Sequence, residues 1–274
     1  MVETGLVDDL RLAHVLADQA DSITLNRFKA QDLHVSTKPD LTEVSDADIA
    51  VEDALRSMLA RTRPRDAVVG EERDDTGYGP RRWIIDPIDG TRNFVRGVPV
   101  WATLIGLMVD EEVVVGVVSA PALGRRWWAH AGGGAYTGKN LMSGTRIQAS
   151  GVSSVEDASL SYSSIGGWVL SGRGQQFVDL MRDCWRTRAY GDFWSYMLVA
   201  EGAVDIAAEP ELELYDMAAL VPIVNEAGGL FTNLDGRPGP FGPGALATNR
   251  VLHNEVVNRL SESENTGEVP RLAP

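Results

Sequence analysis

Three short stretches of this chain carry carboxylates at spacings that could do chemistry. In WIIDPIDGTRN, Trp83 to Asn93, an apolar run ends in two aspartates three residues apart, Asp86 and Asp89. Side chains three apart on an extended strand point to opposite faces, so the pair cannot share a ligand while the strand continues. Pro87 interrupts the ladder and Asp89-Gly90 supplies turn chemistry. A bend there would swing both carboxylates, and the Ile88 carbonyl, toward one point. Clustered oxygen ligands suit a hard cation, Mg²⁺ or Mn²⁺, and not zinc. Alone, such a string is usually only a turn, in which Asp89 caps the next helix and Asp86 is solvated.

Two further stretches repeat the theme. VVGEE is a short apolar run ending in Glu71 and Glu72, and Asp216 stands near the start of the apolar helical stretch YDMAALVPIVNEAGG. Asp216 would also complement a helix dipole, so its position fits both readings. After Asp89, Gly90 and Thr91 open a short helical stretch, TRNFV, whose free N–H groups form an anion site. Carboxylates for a metal beside donors for a phosphate are the parts of a metal-dependent phosphatase. The Thr91 hydroxyl could reach an attacking water.

These groups need elements to hold them. Leu6 to about Phe28 has the apolar period of an amphipathic helix, and Ser45 with Asp48 forms a capping box for a second helix through Ile49, Leu55, Met58 and Leu59. AVVGEE, RRWIIDPIDG, VWATLIGLMVD, EEVVVGVVSAP and RRWWAHAGGGAY read as strands in series, an antiparallel meander. After Ser150 strands and helices alternate, which predicts a parallel or mixed sheet. We expect an N-terminal α+β half over 1–150, a C-terminal α/β half over 151–262, and a mobile tail over 263–274.

Composition narrows the function. Among 274 residues the formal charge is −14, which disfavours nucleic acid as a partner. A small phosphorylated substrate remains possible where a divalent cation reverses the sign locally. No apolar run is long enough for a membrane helix, the opening MVETGLVDDL lacks a signal-peptide pattern, and Cys184 is the single cysteine. A cytoplasmic location is expected.

VVGEE, WIIDPIDGTRNF and YDMAA, in this order and at these separations, resemble the inositol monophosphatase-like family of Mg²⁺-dependent, lithium-sensitive phosphatases, and the likeness covers nearly the whole chain. It implies an α/β fold, an αβαβα layered sandwich with a largely antiparallel N-terminal sheet and a mixed C-terminal one. It implies that Glu71, Asp86 and the Ile88 carbonyl hold one Mg²⁺, that Asp86, Asp89 and Asp216 hold a second, and that a third, looser ion leans on Glu71. Mn²⁺ is a possible substitute. Gly90 and Thr91 would donate to the phosphate. Asp46 corresponds to the aspartate that pairs with the threonine at Thr91, Lys38 lies in the same loop, and Glu71 with the Thr91–Asp46 pair would orient or deprotonate water activated on the metals. A homodimer is implied too.

The stretch RAYGDFWSYMLVAEGAVDIAAEPELELYD bears on the substrate. Gly191-Asp192 followed by aromatics is similar to the histidinol-phosphate phosphatase branch, while Glu209, seven residues before Asp216, stands where inositol enzymes contact substrate hydroxyls. Tyr190 and Phe193 depart from the branch pattern. Two carboxylates near Trp194 and Tyr196 would pair with the ammonium and pack the imidazole of histidinol phosphate. As plain structure, Asp192 would cap the following helix and Glu209 would be a solvated strand end. The expected reaction is hydrolysis of L-histidinol phosphate, the penultimate substrate in histidine synthesis. The alternatives are an inositol-1-monophosphatase or another sugar-phosphate phosphatase, and a catalytically silent phosphate-binding regulator. GGGAY is expected to be a turn, Cys184 core, RTRPR a solvated helix end, and Trp127–Trp128 a half-buried edge or, alternatively, strand residues at a subunit or domain contact.

Overall fold

Alternation of apolar residues decides which way each layer faces. The computed structural model describes residues 2–38 and 42–261; the expected tail over 263–274 lies outside them. In chain order the elements are α1 (Val2–Arg27), β1 (Val35–Thr37), β2 (Glu43–Ser45), α2 (Asp46–Thr62), β3 (Ala67–Gly70), β4 (Arg81–Asp89), α3 (Thr91–Val95), β5 (Ala102–Val109), β6 (Glu112–Ala120), β7 (Arg125–His130), β8 (Gly134–Gly138) and β9 (Thr145–Arg146). There follow β10 (Ser159–Ser161), α4 (Ile165–Leu170), α5 (Gly174–Asp183), β11 (Arg186–Arg188), α6 (Asp192–Ala200), β12 (Ile206–Glu209), α7 (Leu214–Ala218), α8 (Leu220–Glu226), β13 (Gly229–Thr232), β14 (Ala245–Asn249) and α9 (His253–Leu260).

The first large sheet runs β3-β4-β5-β6-β7-β8-β9. It is antiparallel except for β3 and β4, which pair in parallel across the loop that follows Gly70. On one face Leu10, Leu16, Ala17 and Ala20 of α1 and Val51, Leu55 and Leu59 of α2 pack on Trp83, Ile85, Ile105 and Leu107. The opposite face, through Leu104, Val118 and Trp127, meets Met197 of α6 and Leu220, Ile223 and Val224 of α8.

The second sheet, β11-β10-β12-β14-β13, lies beyond α6 and α8 and is mixed. On β12 Ala207 faces α6 and α8, while Ile206 and Ala208 face Trp168 of α4, Phe177 of α5 and Val256 of α9. That period of two completes five layers, αβαβα. Both large sheets and the antiparallel meander agree with the sequence.

Two expectations change. YDMAALVPIVNEAGG is two helices because Pro222 has no N–H to give the Ala218 carbonyl, so the ladder breaks between α7 and α8. Trp127 and Trp128 are no edge: both are buried in β7, inside the seven-stranded sheet. The break at α7–α8 sits directly on the first sheet. A Cβ at Gly116 would come 2.2 Å from the Ala219 carbonyl oxygen, and one at Gly106 3.0 Å from Ala218 Cβ. These two glycines, on β5 and β6, let the α7–α8 break approach the sheet closely, just after the turn of α7 that carries Asp216.

Candidate active site

Asp86 and Asp89 come together through a register shift. On β5 Asp86 pairs with Leu104 and Asp89 with Ala102, so three steps on β4 oppose two on its partner. This bulge cancels the odd spacing and brings the two carboxylates to one side. The Thr103 hydroxyl donates to the Pro87 carbonyl at 2.8 Å and holds the bulge. Asp216 arrives from the first turn of α7, where its Oδ2 accepts from Glu213 N at 2.7 Å. One oxygen from each of Asp86, Asp89 and Asp216 then lies within 4.8 Å of the others.

A cleft of about 570 Å³ opens over this trio, its wall including Glu71, Ile88, Gly90, Thr91, Asn93 and Asp192. Glu71 and Glu72 share Lys38, whose Nζ is 2.7 Å from an oxygen of each. Beneath them Glu52, fully buried, accepts from Glu72 N at 2.7 Å and from Arg56 Nε at 2.7 Å. Glu52 fixes the turn that presents Glu71. Its sequence signal was an acid on the apolar face of α2, one turn after Asp48.

The electrostatics of the trio are severe. Burial first, and then Glu71, Asp89 and Asp216, push the Asp86 carboxyl well above the carboxylate range. Burial and then Asp192 and Asp216 do the same to Asp89, and burial chiefly pushes Asp216 up to about 7. Asp86 Oδ1 is buried without a hydrogen-bond partner. Like charges this close at the largely buried floor of a cleft call for protons or for a cation. An all-oxygen set with an unpartnered buried oxygen fits a hard divalent cation such as Mg²⁺.

The expected partner of Thr91 changes. Asp46 is turned away, accepting from Arg27 at 2.7 Å with two-fifths of its side chain exposed. The aspartate that faces Thr91 is Asp48: the single Thr91 hydroxyl proton has two acceptors in range, Asp48 Oδ1 at 3.3 Å and the Ile88 carbonyl at 2.9 Å. Helix geometry is the reason. Asp48 lies on the buried face of α2 with Val51, Glu52 and Leu55, and its Oδ2 takes Ser45 N and Oγ at 2.8 and 2.6 Å in the capping box. Burial pushes its carboxyl up to about 6.

Asp192 does not cap α6. The Phe193 N–H donates instead to Asp89 Oδ2 at 2.6 Å, while Asp192 Oδ2 accepts from Asn93 Nδ2 at 3.1 Å on the cleft wall. Asp89 therefore does cap a helix, but α6 and not α3. Glu209 is no solvated strand end: it is buried, takes the Ser163 hydroxyl at 2.8 Å, and leaves Oε1 unpartnered. Burial and then Asp192 push it up to about 8. Ser163 lines the cleft and Glu209 stands behind it. Tyr196 is buried against Phe231, away from the wall; the aromatic on the wall is Tyr190, its ring 5.1 Å from that of half-buried Trp194.

Groups set aside in the sequence stay apart from the cleft. Cys184 is buried at the end of α5, where burial pushes its thiol up to about 12. Gly132 and Gly134 form the turn between β7 and β8, held by Glu226. In RTRPR, Arg63 is an exception to plain solvation, pairing with buried Asp9 at 3.0 Å.

The chain matches the inositol monophosphatase family over residues 8–266. It is 62% identical over 260 residues to the histidinol-phosphatase of Streptomyces coelicolor, spanning 93% of this chain and 98% of that protein. To the histidinol-phosphatase of Mycobacterium tuberculosis it is 56% identical over 255 residues, with the same coverage of 93% and 98%. An inositol monophosphatase structure from Zymomonas mobilis superposes with a TM-score of 0.80 at 31% identity, covering 92% of this chain and 97% of that one.

Proposed function

This chain belongs to the inositol monophosphatase family, and we propose that it is a Mg²⁺-dependent phosphomonoesterase that hydrolyses L-histidinol phosphate to L-histidinol and phosphate. The observation that carries the reaction class is the trio of Asp86, Asp89 and Asp216 within 4.8 Å at the floor of a cleft. Near-complete alignment at 62% identity with a histidinol-phosphatase supports the substrate.

Glu71, Asp86 and the Ile88 carbonyl would hold one ion, and Asp86, Asp89 and Asp216 a second; the resemblance allows a third beside Glu71. Magnesium, when bound, neutralises the phosphate, acidifies the attacking water and stabilises the leaving alkoxide. The chain supplies the rest. Gly90 and Thr91 present backbone donors to the phosphate. The Thr91 hydroxyl orients the water, and Asp48 behind it, in hydrogen-bond range, receives the proton. Lys38 balances Glu71 and Glu72.

Asp192 selects the alcohol. Asp192 beside Asp89 raises the proton affinity of Asp89, and burial raises that of Asp192, a cost that a cationic substrate group offsets. The ammonium of histidinol phosphate is such a group, and Tyr190 offers a ring face beside it. Inositol carries no cation, so an inositol monophosphate would leave Asp192 unsatisfied. No described helix is long and apolar enough to cross a membrane, and we expect a cytoplasmic homodimer. Phosphate release from histidinol phosphate that requires Mg²⁺ and disappears in Asp89→Asn tests the proposal. Release that survives chelation, or survives in Asp89→Asn, would contradict it.

A further inference from the structure

We infer that Asn93 is a positioning residue for substrate selection: its side-chain amide pins the Asp192 carboxylate to the cleft wall and leaves one carboxylate oxygen for a cationic substrate group. The inference rests on the reading that Asp192 meets the ammonium of histidinol phosphate. The geometry that supports it does not.

Asp192 opens α6 with φ +52°, in the left-handed region that non-glycine residues seldom occupy. A carboxylate at a helix start ordinarily takes a free N–H of the first turn. Here that duty passes to Asp89, whose Oδ2 accepts from Phe193 N at 2.6 Å. Released from capping, Asp192 needs another anchor to stay in one rotamer. Asn93, inside the short helix α3, provides it. Its Nδ2 donates to Asp192 Oδ2 at 3.1 Å and to the Val100 carbonyl at 3.0 Å. An amide nitrogen has two hydrogens, and both are used.

The clamp thus ties the carboxylate to backbone just ahead of β5, on the same turn that carries Asp89. Gly90 makes room for it: a Cβ there would meet the Val100 carbonyl at 3.0 Å and Asp192 Oδ2 at 3.2 Å. Among the described residues, Asp192 Oδ1 accepts no hydrogen bond. The chemistry of the clamp matters as much as its reach. A lysine or arginine at 93 would hold Asp192 equally well but would neutralise it. An amide fixes the carboxylate without adding to the positive charge that Arg92, on the same cleft wall, already brings near it.

The test compares wild type, Asn93→Ala, Asp192→Asn and the double variant on histidinol phosphate and inositol 1-phosphate, with Tm measured for each. In Asn93→Ala the KM for histidinol phosphate rises about tenfold, the loss expected of one positioning hydrogen bond to a charged group, with a much smaller change in kcat. The KM for inositol 1-phosphate moves far less. In the Asp192→Asn background the same substitution adds little, because the clamp has lost its charge to position. Equal KM rises on the two esters, or additive effects in the double variant, would overturn the role. A wild type with no preference for histidinol phosphate would sink the substrate reading; the Tm cycle then decides the clamp, coupled losses upholding it and additive losses overturning it.

Discussion

Asp46→Asn and Asp48→Asn should have opposite consequences, although both aspartates lie in the first turn of α2. Asp48 reaches Thr91 Oγ1 at 3.3 Å and is fully buried, whereas Asp46 pairs with Arg27 with two-fifths of its side chain in solvent. A positioned acid or base contributes roughly 10²–10⁴-fold to rate, so Asp48→Asn should lower kcat by about 100-fold or more with KM little changed. Asp46→Asn weakens only a half-buried ion pair with Arg27 that does not touch the cleft, and kcat should stay within about twofold of wild type. Asparagine at 48 keeps an oxygen for Ser45 N, so the helix cap survives in part and the cost in stability should not exceed about 1–2 kcal/mol. Steady-state phosphate release at saturating Mg²⁺, with circular dichroism and Tm on each variant, makes the comparison. Loss of activity in Asp46→Asn with Asp48→Asn left active would refute the assignment of Asp48 behind Thr91.

Stability without metal should fall as pH rises from about 6 to about 8. Asp216 is pushed up to about 7 and Glu209 to about 8, so the folded chain holds protons the unfolded chain has released, and the slope of stability against pH is negative there. Saturating Mg²⁺ displaces the proton on Asp216, so its gain in Tm should be larger near pH 8 than near pH 6; an equal or smaller gain would show that Asp216 is not a linked group. Gly116→Ala would place a methyl 2.2 Å from the Ala219 carbonyl, costing about 1–3 kcal/mol through overpacking. Because the shift moves α7, Mg²⁺ affinity by calorimetry should weaken along with Tm; unchanged affinity would detach Asp216 from that packing. Asp192→Asn should raise KM for histidinol phosphate about 10–100-fold, the scale of a charge-assisted contact, against a small change for inositol 1-phosphate. Equal losses would return Asp192 to a structural role.

The legibility of this site in the sequence varies residue by residue. Pro87 and the Asp89-Gly90 pair announce a bend, so the convergence of Asp86 and Asp89 could be read from local chemistry. That a bulge against β5 achieves it could not, because the pairing partner enters only in three dimensions. That Asp48, and not Asp46, faces Thr91 is legible in the helix period. The capping box located it in the first turn, and the period of Val51, Glu52 and Leu55 puts it, not Asp46, on the face toward the sheet. Glu52 was equally visible as an acid on an apolar face. By contrast, nothing local distinguishes Tyr190 on the wall from Tyr196 in the core, since that depends on how α6 rotates against β13 and the first sheet. The layers were legible because each strand and helix carries its own period; the split of α7 from α8 was signalled by Pro222 alone.

The central claim is tested most directly by competition. Equal amounts of histidinol phosphate and inositol 1-phosphate, mixed with the enzyme and Mg²⁺ and followed by phosphorus NMR, report the ratio of kcat/KM in one tube. The account predicts that histidinol phosphate is consumed almost completely before inositol 1-phosphate begins to fall, and that removing Mg²⁺ stops both. Parallel consumption, or earlier loss of inositol 1-phosphate, would contradict it.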